Sequence, residues 1–373
     1  MLVLASGTAL AQPSGTPPSA VQAPVALLVD LGAGQTLYAR ADSKPFLPAS
    51  MTKAMSTLIA FDLIASGKLR EDQLLVVRPE TALMWSGKGT SLFLRPDTLI
   101  SAHDLLLGVT TASANDAAVV LAEGAAGSTE AWLALMNARA KALGMTESHF
   151  ATPNGWPDGG KTHVSARDLV KLAQALIDEH PALYRRYIGH ASFVWNGAYF
   201  ANHDPFAGTV PGADGIKTGH TGEAGYNFLG TVERQGRRLV VVVAGTASEA
   251  VRATTARDLI EWGFASWQSH PLVPPGTKVG YARVQNGAER TVALAIARPL
   301  SVAVAPGGKA QISARIVYRG PLRAPIAKGA RVATLEVRID GGPPTLFPLA
   351  AATNVNRAGL FDRLRNGLLG LFE

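Results

Sequence analysis

The sequence predicts an α+β fold, in which helices pack on one β-sheet, followed by a small all-β domain and a C-terminal amphipathic helix. Strand-like stretches lie at both ends of residues 24–270, and a long helical region separates them. Two strands, a helical block and three more strands favour one sheet built from both ends of this first domain. Short alternating strands over 271–352 and helical apolar spacing over 353–373 predict the other two parts.

Residues 1–23 resemble a processed segment followed by a linker. An apolar stretch ends in Ala9-Leu10-Ala11, which is the small-x-small pattern of a secretory cleavage site. A segment rich in proline, serine and glycine follows it. We therefore expect cleavage near Ala11 and export to a periplasm-like space. The usual basic n-region is missing, so a floppy N-terminal tail is the alternative.

A glycine-rich turn joins two predicted strands at the start of the first domain, in PVALLVDLGAGQTLYAR at 24–40. The helical region covers about 50–190, and several of its apolar segments end at a glycine, which favours a helix C-terminus. Three strands are predicted in GADGIKTG, GYNFLGTVE and RRLVVVVAG. A helix over 249–267 then closes the domain.

The pattern changes near residue 270. HPLVPPGTKVG at 270–280 is predicted to be a linker because it is rich in proline and glycine. RTVALAIA, AQISARIVY and RVATLEVR then alternate as short strands do. No histidine, serine–lysine pair or carboxylate cluster stands out over 271–352. We predict a small all-β domain without chemistry of its own.

Composition excludes several classes of protein. The 373 residues are 47% hydrophobic and 17% charged, which excludes a disordered chain. The net charge of +7 comes without a dense basic run or a nucleic-acid motif, so we expect no nucleic-acid partner and attraction to an acidic surface instead. No cysteine is present, which excludes thiol catalysis. The eight histidines lack metal-ligand spacing, so we expect neither a metal nor a cofactor.

PASMTKAMSTLIA at 48–60 places Ser50 where a helix should begin and Lys53 one helical turn later. Serine is a common N-cap residue, but a capping box would have Glu or Gln in place of Lys53. A serine becomes a nucleophile only beside a base, and lysine is a base only where burial or a second cation lowers its pKa. The segment alone leaves both interpretations open, a capping serine or a nucleophile with its base.

Two further motifs favour the nucleophile. Ser113 and Asn115 form an S-x-N motif between two helical segments, and K-T-G occupies 217–219 at the end of a predicted strand. S-x-x-K, S-x-N and K-T-G in this order are the signature of penicillin-binding proteins and class A β-lactamases. We expect Lys217 to disfavour the charged form of Lys53 and to offer a cation to a substrate carboxylate.

The chain resembles the D-alanyl-D-alanine carboxypeptidases among the low-molecular-weight penicillin-binding proteins. SMTK, SANDAA, TPNGWPDGGKTHVSARDL and DGIKTGHTGEAGYN carry the likeness, which runs from about residue 24 to the end. It implies a β-lactamase/DD-peptidase-like catalytic domain with an antiparallel sheet, a C-terminal β-domain and an anchoring helix. It also implies a serine-type enzyme that removes the terminal D-alanine from peptidoglycan stem pentapeptides and that β-lactams such as penicillin inhibit covalently.

The resemblance also implies roles for the first two motifs. Ser50 would attack the carbonyl between the two D-alanines, and Lys53 would take its proton. Ser113 and Asn115 would relay protons and hold the substrate amide.

The third motif would bind the substrate. The resemblance implies that Lys217 and Thr218 grip the terminal carboxylate, and Gly219 completes this substrate-binding motif. The backbone N–H groups of Ser50 and His220 would form the oxyanion hole.

Some positions depart from the family pattern. Asn154-Gly155-Trp156 stands where members often have His-Gly-Leu, which puts the shape of this loop in doubt. The family's additional substrate-binding arginine has no certain counterpart, and Arg252 is a nearby candidate. We interpret Trp156 and Trp195 as core residues rather than as walls of a peptide groove.

Three alternatives stay open. A class A-like β-lactamase shares the motifs, but it needs a loop glutamate in E-x-x-L-N, and no such segment occurs between Ser113 and Lys217. A D,D-endopeptidase would cut crosslinks with the same machinery, although its relatives usually lack the β-domain and the tail. A non-enzymatic wall-binding module would not need Ser50, Lys53 and Lys217 together.

The tail over 353–373 is predicted to be an amphipathic helix lying on a membrane surface. Its bulky apolar residues fall on one helical face: Leu360, Phe361, Leu364, Leu368, Leu371 and Phe372. Asp362, Arg363 and Asn366 fall on the other face, and the charges exclude a spanning helix. We therefore expect a periplasmic enzyme attached peripherally to the outer face of the inner (cytoplasmic) membrane. A helix docked on its own β-domain is the alternative.

Overall fold

A computed structural model describes residues 22–297, 299–304, 310–339, 341 and 344–362. The predicted signal-like segment up to residue 21 and most of the predicted tail helix, 363–373, lie outside these residues. The chain divides into two units. The first contains the described residues up to Leu31 and residues 36–263. The second begins at Phe264 and also includes residues 32–35. Each unit has its own hydrophobic core.

The first unit holds nine strands and eight helices among the residues described. Its strands are β1 Val25–Asp30, β2 Gln35–Arg40, β3 Leu74–Val76, β4 Leu99–Ser101, β5 Ser192–Trp195, β6 Ala198–Ala201, β7 Ala213–Thr221, β8 Gly225–Arg234 and β9 Arg237–Thr246. Its helices are α1 Thr52–Ala65, α2 Pro79–Trp85, α3 Ala102–Leu107, α4 Asn115–Ala126, α5 Thr129–Ala142, α6 Ala166–Glu179, α7 Pro181–Tyr187 and α8 Glu249–Ser266.

The main sheet is built from both ends of this unit, as predicted. Its strand order is β2-β1-β9-β8-β7, and β1, β9, β8 and β7 pair antiparallel. All six residues of β1 are buried, and the facing run of valines in β9 is buried too. Continuous apolar strands of this kind are stable only when both faces of the sheet are covered, so helices must pack on it.

Helix α1 lies in the interior of the first unit. Its ten residues from Thr52 to Phe61 are all buried, in keeping with a sequence that is apolar on nearly every side. Helices α4 and α5 bury their own residues against the same core, among them Val120 and Trp132. A lysine in the first turn of such a helix is therefore placed inside the protein.

Two local predictions need correction. Lys217 lies within β7 and not at the end of a strand, because β7 continues to Thr221 and turns into β8 with His220 opposite Tyr226. The helical region also contains a small two-stranded sheet of β3 and β4, and a short β5–β6 hairpin follows it. Their few residues give too little alternation to stand out in the sequence.

The second unit is all β in the part of the chain that the structure describes, as predicted. Its strands are β10 Gln268–Val273, β11 Lys278–Gln285, β12 Thr291–Ile296, β13 Leu300–Val304, β14 Ile312–Val317, β15 Leu322–Arg323, β16 Arg331–Ile339 and β17 Thr345–Ala351. Six of them form a sheet in the order β14-β16-β17-β12-β11-β15, and β10 pairs with β13. Part of the predicted linker is thus a strand, since β10 covers 268–273 and finds its partner about thirty residues later.

The prediction of a helix from residue 353 is wrong at its start, because residues 353–359 are not helical and Val355 and Arg357 form β-bridges with Ile326 and Gly287. Residues 360–362 are helical. Leu360 and Phe361 are largely exposed there. Among the residues described, no helix has both the length and the apolar character that crossing a membrane requires.

Candidate active site

A cleft of about 360 Å³ lies where the three sequence motifs meet. It is lined by residues of each motif, Ser50, Ser113, Asn115, Thr218, Gly219 and His220, and by residues of the loops and helix around them, among which are Trp156, Tyr226, Glu249 and Arg252. Segments about 60 and 170 residues away from Ser50 along the chain thus meet at one place. Sequence-distant polar groups that converge in a cleft are typical of an enzyme site.

Ser50 sits in a tight turn just ahead of α1. Residues 49–51 form a single 3₁₀ turn, and Ala49 has a left-handed backbone with φ +48°. Strand β7 presses directly on this turn, because a Cβ on Gly219 would lie 2.3 Å from the carbonyl oxygen of Pro48 and 3.2 Å from the nitrogen of Ser50. Only glycine allows this approach. Gly219 therefore brings the β7 backbone beside Ser50.

Lys53 is fully buried, and its amine lies against the serine hydroxyl. Its Nζ lies 2.9 Å from Ser50 Oγ, 2.7 Å from Asn115 Oδ1 and 2.8 Å from the Asn154 carbonyl oxygen, so a neutral amine can donate to the two carbonyl oxygens and accept from the serine hydroxyl. Burial holds the pKa of Lys53 well below its usual value, and the charge of Lys217 lowers it further, against a smaller opposing effect of Asp116. A lysine in this state is able to accept a proton from its neighbour.

Lys217 is the second buried cation of the site. Burial and the nearby Arg252 guanidinium lower the pKa of Lys217 to about 7, while Asp204 acts in the opposite direction. Asp204 is a half-buried acid, and its pKa is raised to about 6, mainly by loss of solvent. Lys217 therefore changes charge near neutral pH. Its charge lowers the pKa of Lys53, as we predicted from the presence of both lysine motifs.

The S-x-N motif lies on the irregular end of a helix. Residues 108–112 form a π-helical turn after α3, and Ser113 follows with a left-handed backbone of φ +62°. Strained backbones of this kind concentrate at functional sites. Asn115 begins α4 and is held by its neighbours, since its Nδ2 donates to the carbonyl of Lys88 at 2.9 Å while its Oδ1 accepts from Lys53. Its side chain is therefore fixed in one orientation.

The loop around Asn154 supplies the third acceptor for Lys53. Gly155 has φ +76°, and a Cβ there would lie only 1.8 Å from the Ala49 carbonyl oxygen, so the loop is pressed against the Ser50 turn. A buried chain of hydrogen bonds ties the same loop to the core, from Trp132 Nε1 to Ser56 Oγ at 3.2 Å and from Ser56 Oγ to the Pro153 carbonyl at 2.6 Å. Asn154 thus contributes through its backbone.

Arg252 enters the cleft from α8 and is almost fully buried. It donates to Glu249 at 2.7 Å and packs over the Tyr226 ring, whose face also stacks on His220. Its Nε has no hydrogen-bond partner among the described residues. Thr218 and Lys217 lie on the neighbouring strand. This end of the cleft is thus lined by the Arg252 cation and the Thr218 hydroxyl, with the buried Lys217 cation on the strand beside them, a suitable set of donors for a carboxylate.

Several cleft residues carried no recognisable signal in the sequence. Trp156 was interpreted as core, yet it lines the cleft, is partly exposed and meets Trp85 edge to face at 5.6 Å. Trp195 packs at the margin of the main core, as interpreted. Tyr226 and Glu249 are brought in only by the pairing of β7 with β8 and by the start of α8, which no local motif announces.

One cluster outside the cleft has the composition of a metal site. Asp62, Glu179 and His180 lie close together among the residues described. The guanidinium of Arg139 lies 2.9 Å from Asp62 and 2.5 Å from Glu179, and His180 is 2.7 Å from Asp62. Arg139 thus pairs with both carboxylates, and the cluster is a partly exposed ion-pair network.

The match to known proteins agrees with this geometry. The family model described as D-alanyl-D-alanine carboxypeptidase matches residues 11–248, which include all three motifs of the cleft. The chain belongs to the D-alanyl-D-alanine carboxypeptidase family. Residues 267–357 match the C-terminal domain of penicillin-binding protein 5. Family membership makes the protein a serine-type DD-carboxypeptidase.

Relatives cover nearly the whole chain. The D-alanyl-D-alanine carboxypeptidase DacD of Salmonella typhimurium is 32% identical over 93% of this chain and 90% of its own length. DacC of Escherichia coli is 30% identical over 97% and 92%. The crystal structure of penicillin-binding protein 5 from Haemophilus influenzae has a TM-score of 0.73 and 26% identity, over 94% of this chain and all of that chain. The carboxypeptidase family therefore accounts for both units.

Gly155 provides a test of how closely this family site depends on its loop. We predict that Gly155→Ala lowers D-alanine release from a peptide ending in D-Ala-D-Ala by roughly 100-fold or more, since displacing the loop moves an acceptor of Lys53. Gly159→Ala is the matched control, because Gly159 also has a positive φ of 72° but a Cβ there meets nothing within 4 Å. It should cost about 1 kcal/mol of stability and leave activity nearly intact. Equal activity losses in the two variants would contradict the proposed role of the contact.

Proposed function

We propose that this enzyme removes the terminal D-alanine from peptidoglycan stem pentapeptides through an acyl-enzyme on Ser50. The observation that carries the proposal is the 2.9 Å hydrogen bond between Lys53 Nζ and Ser50 Oγ, made by a fully buried lysine whose pKa is lowered. A neutral amine in contact with a hydroxyl at a cleft is the arrangement that a serine nucleophile requires.

The reaction proceeds in two halves. Ser50 Oγ attacks the carbonyl carbon of the penultimate D-alanine while Lys53 takes the hydroxyl proton. The tetrahedral intermediate then collapses, the C–N bond breaks, and the leaving amine receives that proton through Ser113, which lines the same cleft. Water attacks the resulting ester with Lys53 again as base, and the peptide acid leaves as Ser50 regains its proton.

The oxyanion of each tetrahedral intermediate is assigned to the backbone N–H groups of Ser50 and His220. Support comes from Gly219, which lets β7 approach the Ser50 turn closely enough for donors of both segments to face one oxygen. Ser50 also precedes α1, where backbone N–H groups lack intrahelical acceptors. Such preorganised donors typically contribute a few kcal/mol of transition-state stabilisation.

The substrate carboxylate is assigned to Lys217, Thr218 and Arg252. Arg252 is a buried cation that lines the cleft, Lys217 is a second buried cation near it, and Arg252 has a donor that the described residues leave unused. Burial strengthens a charge-assisted hydrogen bond because solvent screening is weak there. Recognition of a free C-terminus is what distinguishes a carboxypeptidase from an enzyme acting within a chain.

β-Lactams are proposed as covalent inhibitors of the same serine. Penicillin-binding protein D2 from Listeria monocytogenes, 29% identical over 65% of this chain with a TM-score of 0.59, has been solved in ampicillin-bound and cefotaxime-bound forms. Among the described residues that line the cleft, Glu249 is the single acid, and Arg252 engages it. A carboxylate that could drive water onto a penicilloyl ester is thus not placed beside Ser50.

The cellular location is proposed from the sequence. The apolar start with its small-x-small site fits export to the periplasm. The amphipathic spacing over 353–373 fits peripheral attachment to the outer face of the inner membrane. Both features would place the enzyme beside peptidoglycan.

The nucleophile can be tested directly. Ser50→Ala should abolish both D-alanine release and labelling by a fluorescent penicillin, and Lys53→Ala should lower both by several orders of magnitude because the base is lost. Ser66→Ala, at the exposed end of the same helix, should leave both unchanged. Intact-mass spectrometry after penicillin treatment provides the second measurement. Labelling that persists in Ser50→Ala would place the nucleophile elsewhere.

Carboxylate recognition should depend on pH. Because Lys217 loses its charge above its pKa of about 7, the ratio of kcat/KM for a free-acid peptide to that for its C-terminal amide should fall as pH rises through 7. Lys53 acts on both substrates, so the pH dependence that it gives to kcat/KM cancels in the ratio. Lys217→Arg keeps its charge throughout, so its ratio should stay flat. A flat ratio in the unmodified enzyme would refute the role of Lys217.

The penicilloyl-enzyme should be long-lived. We expect intact-mass measurements after brief exposure to penicillin to show one adduct that persists far longer than a catalytic turnover, because Glu249 is the single acid among the described residues that line the cleft and it is paired with Arg252. Recovery of free enzyme with stoichiometric excess of opened antibiotic within seconds would instead indicate a class A-like β-lactamase.

A further inference from the structure

Charge is divided unevenly between the two units. From Phe264 to the end, the sequence has 14 Lys and Arg against 5 Asp and Glu, a net charge of +9. The remaining residues have 21 against 23, a net charge of −2. The whole positive charge of the protein therefore resides in the β-domain. Eleven of its 14 basic residues are arginine, whose planar guanidinium binds phosphate oxygens in pairs.

Four of these arginines gather at one edge of the six-stranded sheet. Arg283 and Arg290 line a surface cavity of about 680 Å³ beside β11. Arg323 on β15 lies opposite Gln285 of β11, and Arg357 forms a bridge with Gly287 in the turn that follows β11. We call this set, Arg283, Arg290, Arg323 and Arg357, the arginine edge.

The last residues that the structure describes, 356–362, begin at the arginine edge. The backbone N–H of Ala288 donates to the Asn356 carbonyl at 2.8 Å, and that of Ala358 donates to the Asn286 carbonyl at 2.9 Å. These bonds fix the start of the tail against the turn between β11 and β12. Leu360 and Phe361 follow at once, 80% and 86% exposed. The predicted interfacial helix therefore starts beside four guanidinium groups.

The surroundings of the arginine edge are partly apolar. Tyr281 is 67% exposed and lies two residues before Arg283 on β11, hence on the same face of the sheet. Two acids belong to the same segments, Glu289 in the turn and Asp362, whose carboxylate accepts from the Gly359 N–H at 3.0 Å. Arginines still outnumber acids by two to one here. Exposed aromatic and leucine side chains among arginines are typical of a bilayer interface.

We propose that the arginine edge binds anionic phospholipid headgroups and forms a second membrane contact beside the tail. Charge complementarity supplies the attraction, and the exposed Tyr281, Leu360 and Phe361 favour a lipid over a purely polar wall polymer. A single weak amphipathic or lipid signal gives only reversible membrane attachment, and a basic patch beside it strengthens binding. The proposal is independent of the chemistry assigned to Ser50, and adds to the attachment proposed for the tail.

The test compares two full-length triple variants on vesicles. Arg283→Gln with Arg323→Gln and Arg357→Gln neutralises the arginine edge. The control triple, Arg315→Gln with Arg331→Gln and Arg338→Gln, removes the same charge from β14 and β16. One set of vesicles contains only phosphatidylcholine. The other also contains about 30% phosphatidylglycerol, which makes the surface anionic. Binding is measured by co-sedimentation at low and high salt.

The edge variant should bind the anionic vesicles on the order of 100-fold more weakly than the unmodified protein, and the control variant should lose much less. Both should release D-alanine normally, and their circular dichroism and thermal unfolding should match those of the unmodified protein, which shows that the β-domain is folded. Equal losses in the two triples would overturn the proposal, since net charge alone would then act. The proposal would also be overturned if the arginine edge gave salt-sensitive binding to purified peptidoglycan sacculi while the edge variant bound vesicles as the unmodified protein does. That result would assign the arginine edge to the wall.

A second variant separates the arginine edge from the tail. Deleting residues 363–373 leaves all four arginines in place. The shortened protein should still bind anionic vesicles at low salt and should release them at high salt, because the remaining contact is electrostatic. Complete loss of anionic-vesicle binding at low salt would show that the tail acts alone.

Discussion

The site depends on one buried amine. Lys53 carries no exposed surface, and three oxygens surround its nitrogen, from Ser50, Asn115 and Asn154. A buried charge without a paired carboxylate destabilises the folded state. Burial therefore favours the neutral form of Lys53, which is the form that a base requires. Lys217 adds to this effect. Helix α1 places the lysine inside because its first ten residues are all buried, and three separate segments must then converge on that nitrogen.

Convergence rests on close backbone approaches rather than on polar contacts alone. Gly155 and Gly219 press a loop and a strand against the Ser50 turn, where any side chain would collide with backbone. Asp116 fixes the opposite wall, because its carboxylate accepts from Ser91, Leu92 and Leu94 and so holds the segment that also contacts Asn115. The nucleophile, its base and its electrostatic partners therefore sit on a rigid frame, which is how preorganised catalysis arises.

Sequence patterns predicted the sheet, the all-β domain and the meeting of three motifs, because these follow from strand periodicity and from residue types with few other uses. They gave no indication of Tyr226, of the Glu249 pairing of Arg252, or of the exposure of Trp156, which arise from long-range pairing and loop shape. The linker interpretation of 270–280 was wrong for β10 since its partner strand lies about thirty residues further on. The prolines and glycine of this segment predicted irregular structure, but its first residues form a strand because they pair with β13.

The central claim is that burial and the nearby Lys217 hold the pKa of Lys53 well below its usual value inside the folded enzyme, and this titration is directly measurable. NMR of ¹³C-labelled lysine side chains, with the Lys53 signal assigned from its absence in Lys53→Met, would follow the Cε shift against pH. The account predicts a midpoint well below the usual value of about 10.4, and a higher midpoint in Lys217→Met, where the neighbouring cation is gone. A midpoint near 10.4, or one that does not respond to Lys217→Met, would contradict it.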